Sequence, residues 1–266
     1  MDLQKKIKVV SEKNSRILLP NLITIIGVCI GLSSIKFALD SKFELSIIAI
    51  LFAALMDSLD GRVARLIKGT SKVGKELDSL TDVISFGVAP AFIMYFWHLN
   101  QIEKVGWLLS LTYVVCVALR LARFNVTSNI DQEWKDNFFQ GVPAPAGAIL
   151  VLMPLILQKA DIFLIDDYTY IASTMFIIVP LLMISKIPTY SLKKIIIPRK
   201  ATVFLLFGIG IFVGLLIIYT FKTVFVSGVI YIFLIPASAI HYNKMIKSKS
   251  HRAEIINNDD DQEDML

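Results

Sequence analysis

Cysteine and histidine are scarce in this chain, and each scarcity removes a class of protein. The two cysteines, Cys29 and Cys116, lie in separate apolar runs and read as small buried hydrophobes, so no disulfide framework is expected. The three histidines, His98, His241 and His251, are scattered and lack the spacing of zinc ligands. No internal repeat is strong enough to suggest a solenoid. No small-residue cleavage site follows a short apolar core near the N-terminus, so the first hydrophobic run is not read as a secretory signal.

What the chain has instead is long apolar runs. Hydrophobic residues make up 55% of its 266 residues, with mean hydropathy +0.66 and formal net charge +5. An ordinary soluble domain is ~45–50% apolar, so the average gives only a lean towards membrane. The runs decide the class. Stretches of about the ~17–25 residues needed to cross hydrocarbon are read at 18–39, 45–66, 77–97, 106–124, 144–157, 168–184, 201–219 and 224–242. The fifth is short and carries Pro154. These runs predict an all-α polytopic membrane protein with about eight transmembrane helices, its membrane domain at 18–242. The basic segment 1–17 is expected to form an interfacial helix drawn to anionic lipid. Residues 243–266 are expected to be a cytoplasmic tail whose acidic end, from Asn257, is disordered.

Lysine and arginine set the orientation. If the runs alternate direction, 22 of the 27 basic residues fall on one side. That side takes the N-terminal segment, the 62–75 connection, Arg120, Arg123 and Lys135, the 186–200 connection and the stretch from Lys244 to Arg252, while Lys36 lies inside the first run. The other side holds only Lys42, Lys104, Lys159 and Lys222. Both termini and the 62–75 connection are therefore expected at the cytoplasmic face of the inner membrane.

Four aspartates sit inside or at the ends of two of these runs: Asp57, Asp60, Asp78 and Asp82. An acid at membrane depth costs at least ~2.5–3.5 kcal/mol on insertion scales, so it needs a partner or a function. Asp57 and Asp60 are three apart, and Asp78 and Asp82 four apart, so each pair shares one helix face. Facing each other, the four would repel unless cations lay between them. Carboxylates are the hard ligands that Mg²⁺ or Mn²⁺ prefers, and two such ions suit in-line phosphoryl displacement. Gly61 and Ala64 lack bulk, Arg65 offers a planar donor fork for a diphosphate, and the 68–75 loop adds positive charge and the Ser71 hydroxyl.

The full pattern is Asp57-x-x-Asp60-Gly61-x-x-Ala64-Arg65, eight residues, then Gly74-x-x-x-Asp78-x-x-x-Asp82. It resembles the signature of the CDP-alcohol phosphatidyltransferases at every fixed position. The resemblance implies transfer of a phosphatidyl or related group from a CDP-linked donor to an alcohol, with release of CMP. It implies a two-metal site in which Asp57 and Asp78 bridge both ions and Asp60 binds one. Asp82 would contact the other ion and take the acceptor proton. Gly61, Arg65 and Ser71 occupy donor-contacting positions. The stretch Pro20-Asn21-Leu22-Ile23-Thr24 is similar to the family's first-helix nucleotide motif, which adds Asn21 and Thr24.

The segments LDSLTDVISFGVAPA, RLARFN, FQGVPAPAGA and SKIPTYSLKK resemble the bacterial phosphatidylserine synthase subgroup. That resemblance implies CDP-diacylglycerol as donor, L-serine as acceptor, membrane lipid as surroundings and no nucleic acid. A homodimer is left open. Arg120 and Arg123 either snorkel to the interface or bind the phosphate or the acceptor carboxylate. Other acceptors (glycerol 3-phosphate, an inositol phosphate, choline) remain alternatives, as does an ion-coupled transporter.

Overall fold

The computed structural model describes residues 2–67, 69, 71–127, 138–162, 165, 167–190 and 199–263. In chain order these form α1 (Asp2–Leu39), α2 (Phe43–Leu66), α3 (Lys72–Asp82), a π-helical stretch (Val83–Val88) and α4 (Ala89–Trp97). A single 3₁₀ turn (Leu99–Ile102) leads into α5 (Glu103–Thr127), followed by β1 (Phe138–Gln140), α6 (Ala144–Ala160) and α7 (Thr169–Ile184). Next come β2 (Pro188–Tyr190), α8 (Arg199–Ile218) and α9 (Thr220–Glu263).

Every expected apolar run carries a helix, yet the helices are not equivalent. Among the described residues, four stretches are long and apolar enough to cross a membrane: Leu18–Leu39, Lys72–Trp97, Leu99–Val126 and Thr220–Tyr242. Ala144–Ala160, Thr169–Ile184 and Thr202–Ile218 are apolar but shorter. α2 has the length but carries Glu44, Asp57, Asp60, Arg62 and Arg65.

Three features bear on the expected layout, and the last corrects it. The α1 backbone runs unbroken from Asp2 through Pro20 to Leu39, so the basic segment 1–17 leads into the first apolar run without a glycine or proline before Pro20. The α9 backbone continues beyond Lys244 to Glu263, a stretch without glycine or proline. The fold is also not purely helical. β1 and β2 pair antiparallel, with Phe138 opposite Tyr190 and Gln140 opposite Pro188. Pro143 and Pro188 keep their neighbourhoods out of helix, and the two connections satisfy their backbone groups on each other.

The packing centre is α6. Ala148, Leu150, Val151, Leu152, Leu155 and Ile156 along it are all buried, and Phe86, Ile93, Tyr113 and Phe176 close around them. Within a bilayer this burial gains dispersion and shape fit rather than transfer from water. Small residues allow the close approach: a Cβ at Gly228 would lie 2.5 Å from Met153 Sδ, which fixes α9 against α6. On α8 the reverse holds. Val203, Phe204, Leu206 and Phe207 are exposed, as a lipid-facing helix requires.

The two ends of the bundle are tied by different contacts. At one end Lys159 Nζ lies 3.2 Å from Glu44 Oε1, Trp97 Nε1 donates to Gln158 Oε1 at 3.0 Å, and Thr169 Oγ1 donates to Gln101 Oε1 at 3.1 Å. At the other, the ribbon gathers helix ends: Thr189 Oγ1 donates to Gly141 O at 2.9 Å, and Ser238 Oγ of α9 donates to Pro188 O. The four aspartates belong to this second half.

Candidate active site

α2 and α3 are joined by a tight reversal whose ends the sequence specifies locally. The Ile67 N–H closes on Val63 O at 3.0 Å, and Gly69 N donates to Ala64 O at 2.9 Å. Ser71 then starts α3: in an extended conformation, its Oγ accepts the Gly74 N–H at 2.9 Å. A cap of this kind is worth ~1 kcal/mol to the helix. Gly74 sits in a crowded spot: a Cβ there would come within 2.9 Å of Asn21 Oδ1 and 3.0 Å of Ser71 Oγ, so these side-chain ends would have to shift. Lys68, part of the expected basic loop, lies outside the described residues.

The reversal turns the two acidic faces towards each other, with α1 packed against both helices. One carboxylate oxygen each from Asp57, Asp60 and Asp78 lies within 4.8 Å of the others. Two full charges at that separation repel by about 3.5 kcal/mol at an effective dielectric of ~20. Among the described residues none of the four aspartates forms an ion pair with a lysine or arginine. Asp82 completes the group from the last turn of α3, hydrogen-bonded through its side chain to Asp57. Its Oδ1 is buried with no hydrogen-bond partner among the described residues. Hard oxygen donors, mutual repulsion and an orphaned buried oxygen all fit divalent cations.

Thr24 of α1 sits against this cluster, its Oγ1 2.6 Å from Asp60 Oδ2 and 3.1 Å from Pro20 O. Its single proton serves the nearer, charged acceptor and fixes the orientation of Asp60. Thr24 thus holds an aspartate, besides lining the neighbouring cavity. That cavity, about 500 Å³, is bounded by Asn21, Thr24, Asp60, Gly61, Arg65, Ser71 and Asp78. All five residues expected at the donor nucleotide therefore meet in one space. Ala64, Gly69, Lys72, Gly74 and Lys75 complete its wall, so glycine and alanine backbone and positive charge surround the mouth. A Cβ at Gly61 would meet nothing nearer than Arg65 Nη1 at 3.7 Å, leaving the backbone there approachable.

Immediately after Asp82 the helix widens into a π-helical stretch, where Ala89 N donates to Ile84 O. Such stretches release a carbonyl and re-aim the residues before them. Here Tyr113 Oη of α5 donates to Phe86 O at 2.7 Å, satisfying one such group inside the core.

Arg120 and Arg123, expected together at the acceptor, are used differently. Arg123 donates to Ile184 O at 2.5 Å and Ser185 O at 3.2 Å, closing the C-terminal carbonyls of α7. Arg120 points inward. It is only 8% exposed, interacts electrostatically with Asp82, and its Nε has no hydrogen-bond partner among the described residues. Tyr231 of α9, which no motif singles out, adjoins Arg120; a lone tyrosine in an apolar span is its only signal.

A helical membrane bundle with a polyacidic cleft opening on a cationic, glycine-lined cavity defines an enzyme acting on phosphorylated groups at a membrane surface. The profile of the CDP-alcohol phosphatidyltransferases matches residues 17–246, and the chain belongs to this family. It is 36% identical over 236 residues to a CDP-diacylglycerol–serine O-phosphatidyltransferase of Mycobacterium leprae, covering 86% of this chain and 76% of that one. To the protein of that name from Helicobacter pylori it is 34% identical over 217 residues, 77% of this chain and 90% of the other. The Methanocaldococcus jannaschii protein of that name is 38% identical over 180 residues, 66% of this chain and 77% of its own length.

Proposed function

We propose that the protein transfers the phosphatidyl group of CDP-diacylglycerol to the hydroxyl of L-serine, forming phosphatidylserine and releasing CMP. The observation that carries the reading is the junction of the acidic cleft with the Asn21–Arg65–Ser71 cavity, supported by the names of the relatives. In this reading the cavity holds the CDP moiety. Arg65 and Lys72 offset the diphosphate charge, and Gly61 and Gly74 let it approach the backbone.

Asp57, Asp60, Asp78 and Asp82 would hold two divalent ions, Mg²⁺ or Mn²⁺. When bound, such ions supply charge neutralisation for the phosphoryl and leaving oxygens. Asp82 takes the proton of the serine hydroxyl as its oxygen bonds to the diacylglycerol-linked phosphorus. The bond from that phosphorus to the CMP oxygen breaks in the same displacement, and no covalent enzyme intermediate is needed. Arg120 meets the serine carboxylate. Arg123, held on α7, supports the same face of the bundle from behind.

The same reading places about eight spans in the cytoplasmic membrane, with both termini and the cleft facing the cytoplasm. The charge asymmetry supports this orientation. Single cysteines introduced near positions 13, 70 and 245 should all be protected from an impermeant reagent applied outside; labelling at 70 alone would mean that a span has been miscounted.

An acceptor panel tests the function. Purified protein given CDP-diacylglycerol should release CMP with L-serine far faster than with glycerol 3-phosphate, an inositol phosphate or choline. Arg120→Ala should raise the KM for serine roughly ten- to a hundredfold, the value of one charge-assisted hydrogen bond. Preference for a phosphorylated alcohol would defeat serine as acceptor and leave family membership standing.

A further inference from the structure

Three buried polar atoms at the inner end of the cleft lack partners among the described residues: Asp82 Oδ1, Arg120 Nε and Tyr231 Oη. They come from α3, α5 and α9, and charge interactions link Arg120 to both of the others. Buried polar groups are nearly always paired, so a cluster of unpaired ones marks a place where something else binds. The chemistry of the set is specific. Two members are hydrogen-bond donors, one of them part of a positively charged guanidinium, and the third is an acidic oxygen. The complement is a small molecule with a carboxylate at one end and a hydroxyl at the other.

Tyr231 is well placed to be a donor. Its hydroxyl interacts with Thr189, which gives its own proton to Gly141 O at 2.9 Å, and no group among the described residues accepts the Tyr231 proton within hydrogen-bond distance. Gly228, three residues earlier, holds this turn of α9 hard against α6, and Ser238 anchors the helix to the ribbon through Pro188 O. These contacts hold the stretch of α9 that carries the phenol, beside Arg120.

We propose that Tyr231 binds the acceptor, forming with Arg120 a two-donor clamp for the acceptor carboxylate while Asp82 receives the hydroxyl. The proposal rests on the serine-transfer reading above and extends it to α9, outside the aspartate signature. The clamp selects a hydroxy acid over a plain alcohol, because an acceptor without a carboxylate leaves two buried donors unpaired.

Tyr231→Phe removes the hydroxyl and keeps the ring. Steady-state CMP release should show the KM for serine raised about tenfold, with kcat falling far less and the KM for CDP-diacylglycerol unmoved. Serinol, which lacks the carboxylate, should be a poor acceptor for the unmutated protein and no poorer for the variant. An unchanged KM for serine in Tyr231→Phe overturns the clamp. So does an equal rise in KM for serine and CDP-diacylglycerol, which would make Tyr231 a packing residue. If the unmutated protein releases no CMP with serine, the proposed function itself falls and the clamp with it; the first two outcomes strike the clamp alone.

Discussion

Asp82→Asn is expected to lower turnover by at least ~10²-fold, within or beyond the ~10²–10⁴ typical of a general base. The change keeps the size of the side chain and its hydrogen bond to Asp57 but removes the ability to accept a proton. Asp82 is the member best placed for this task. Its Oδ1 is buried and unpartnered, whereas Asp60 is already oriented by Thr24 at 2.6 Å. Asp57, Asp60 and Asp78 stay within 4.8 Å of one another without it, so binding of CDP-diacylglycerol should largely survive. Single-turnover CMP release together with equilibrium binding of the donor separates the two effects. Near-normal turnover would remove Asp82 as the base. Loss of donor binding along with turnover would make it chiefly a ligand.

The clustering of the aspartates was legible because it is written in short spacings. Three and four residues apart on a helix means one face, and the capping serine and crowded glycine between the two helices lie within a few residues of each other. The apolar runs likewise mark each helix, since a membrane span must satisfy its backbone internally. Contacts between distant residues were not legible. Arg123 meets carbonyls some 60 residues away, and its neighbour Arg120, three positions earlier, turns inward instead. From the sequence both are basic residues near a helix end. The π-helical stretch after Asp82 lies where Tyr113 reaches Phe86 O across the core, and the ribbon pairs strands that lie on either side of α6 and α7 in the chain.

Chelation is expected to abolish activity, and Mg²⁺ or Mn²⁺ to restore it. The argument comes from the cluster rather than from catalysis. Three carboxylate oxygens held within 4.8 Å, with a fourth acid hydrogen-bonded to one of them, carry more negative charge than the described surroundings offset. Without cations the group must take up protons or spread apart, and either change removes the arrangement that receives the diphosphate. Metal should therefore stabilise the folded protein as well as activate it. At a hundred times its dissociation constant, one bound ion adds about 2.7 kcal/mol. Thermal unfolding in detergent should accordingly rise with added Mg²⁺ or Mn²⁺ in the unmutated protein, and fail to rise in an Asp57→Asn/Asp78→Asn variant. That comparison needs no substrate, so it tests the ligand assignment even where activity is lost for another reason. Full turnover in excess EDTA would sink the metal site. A thermal shift that persists in the double variant would move the ions away from Asp57 and Asp78.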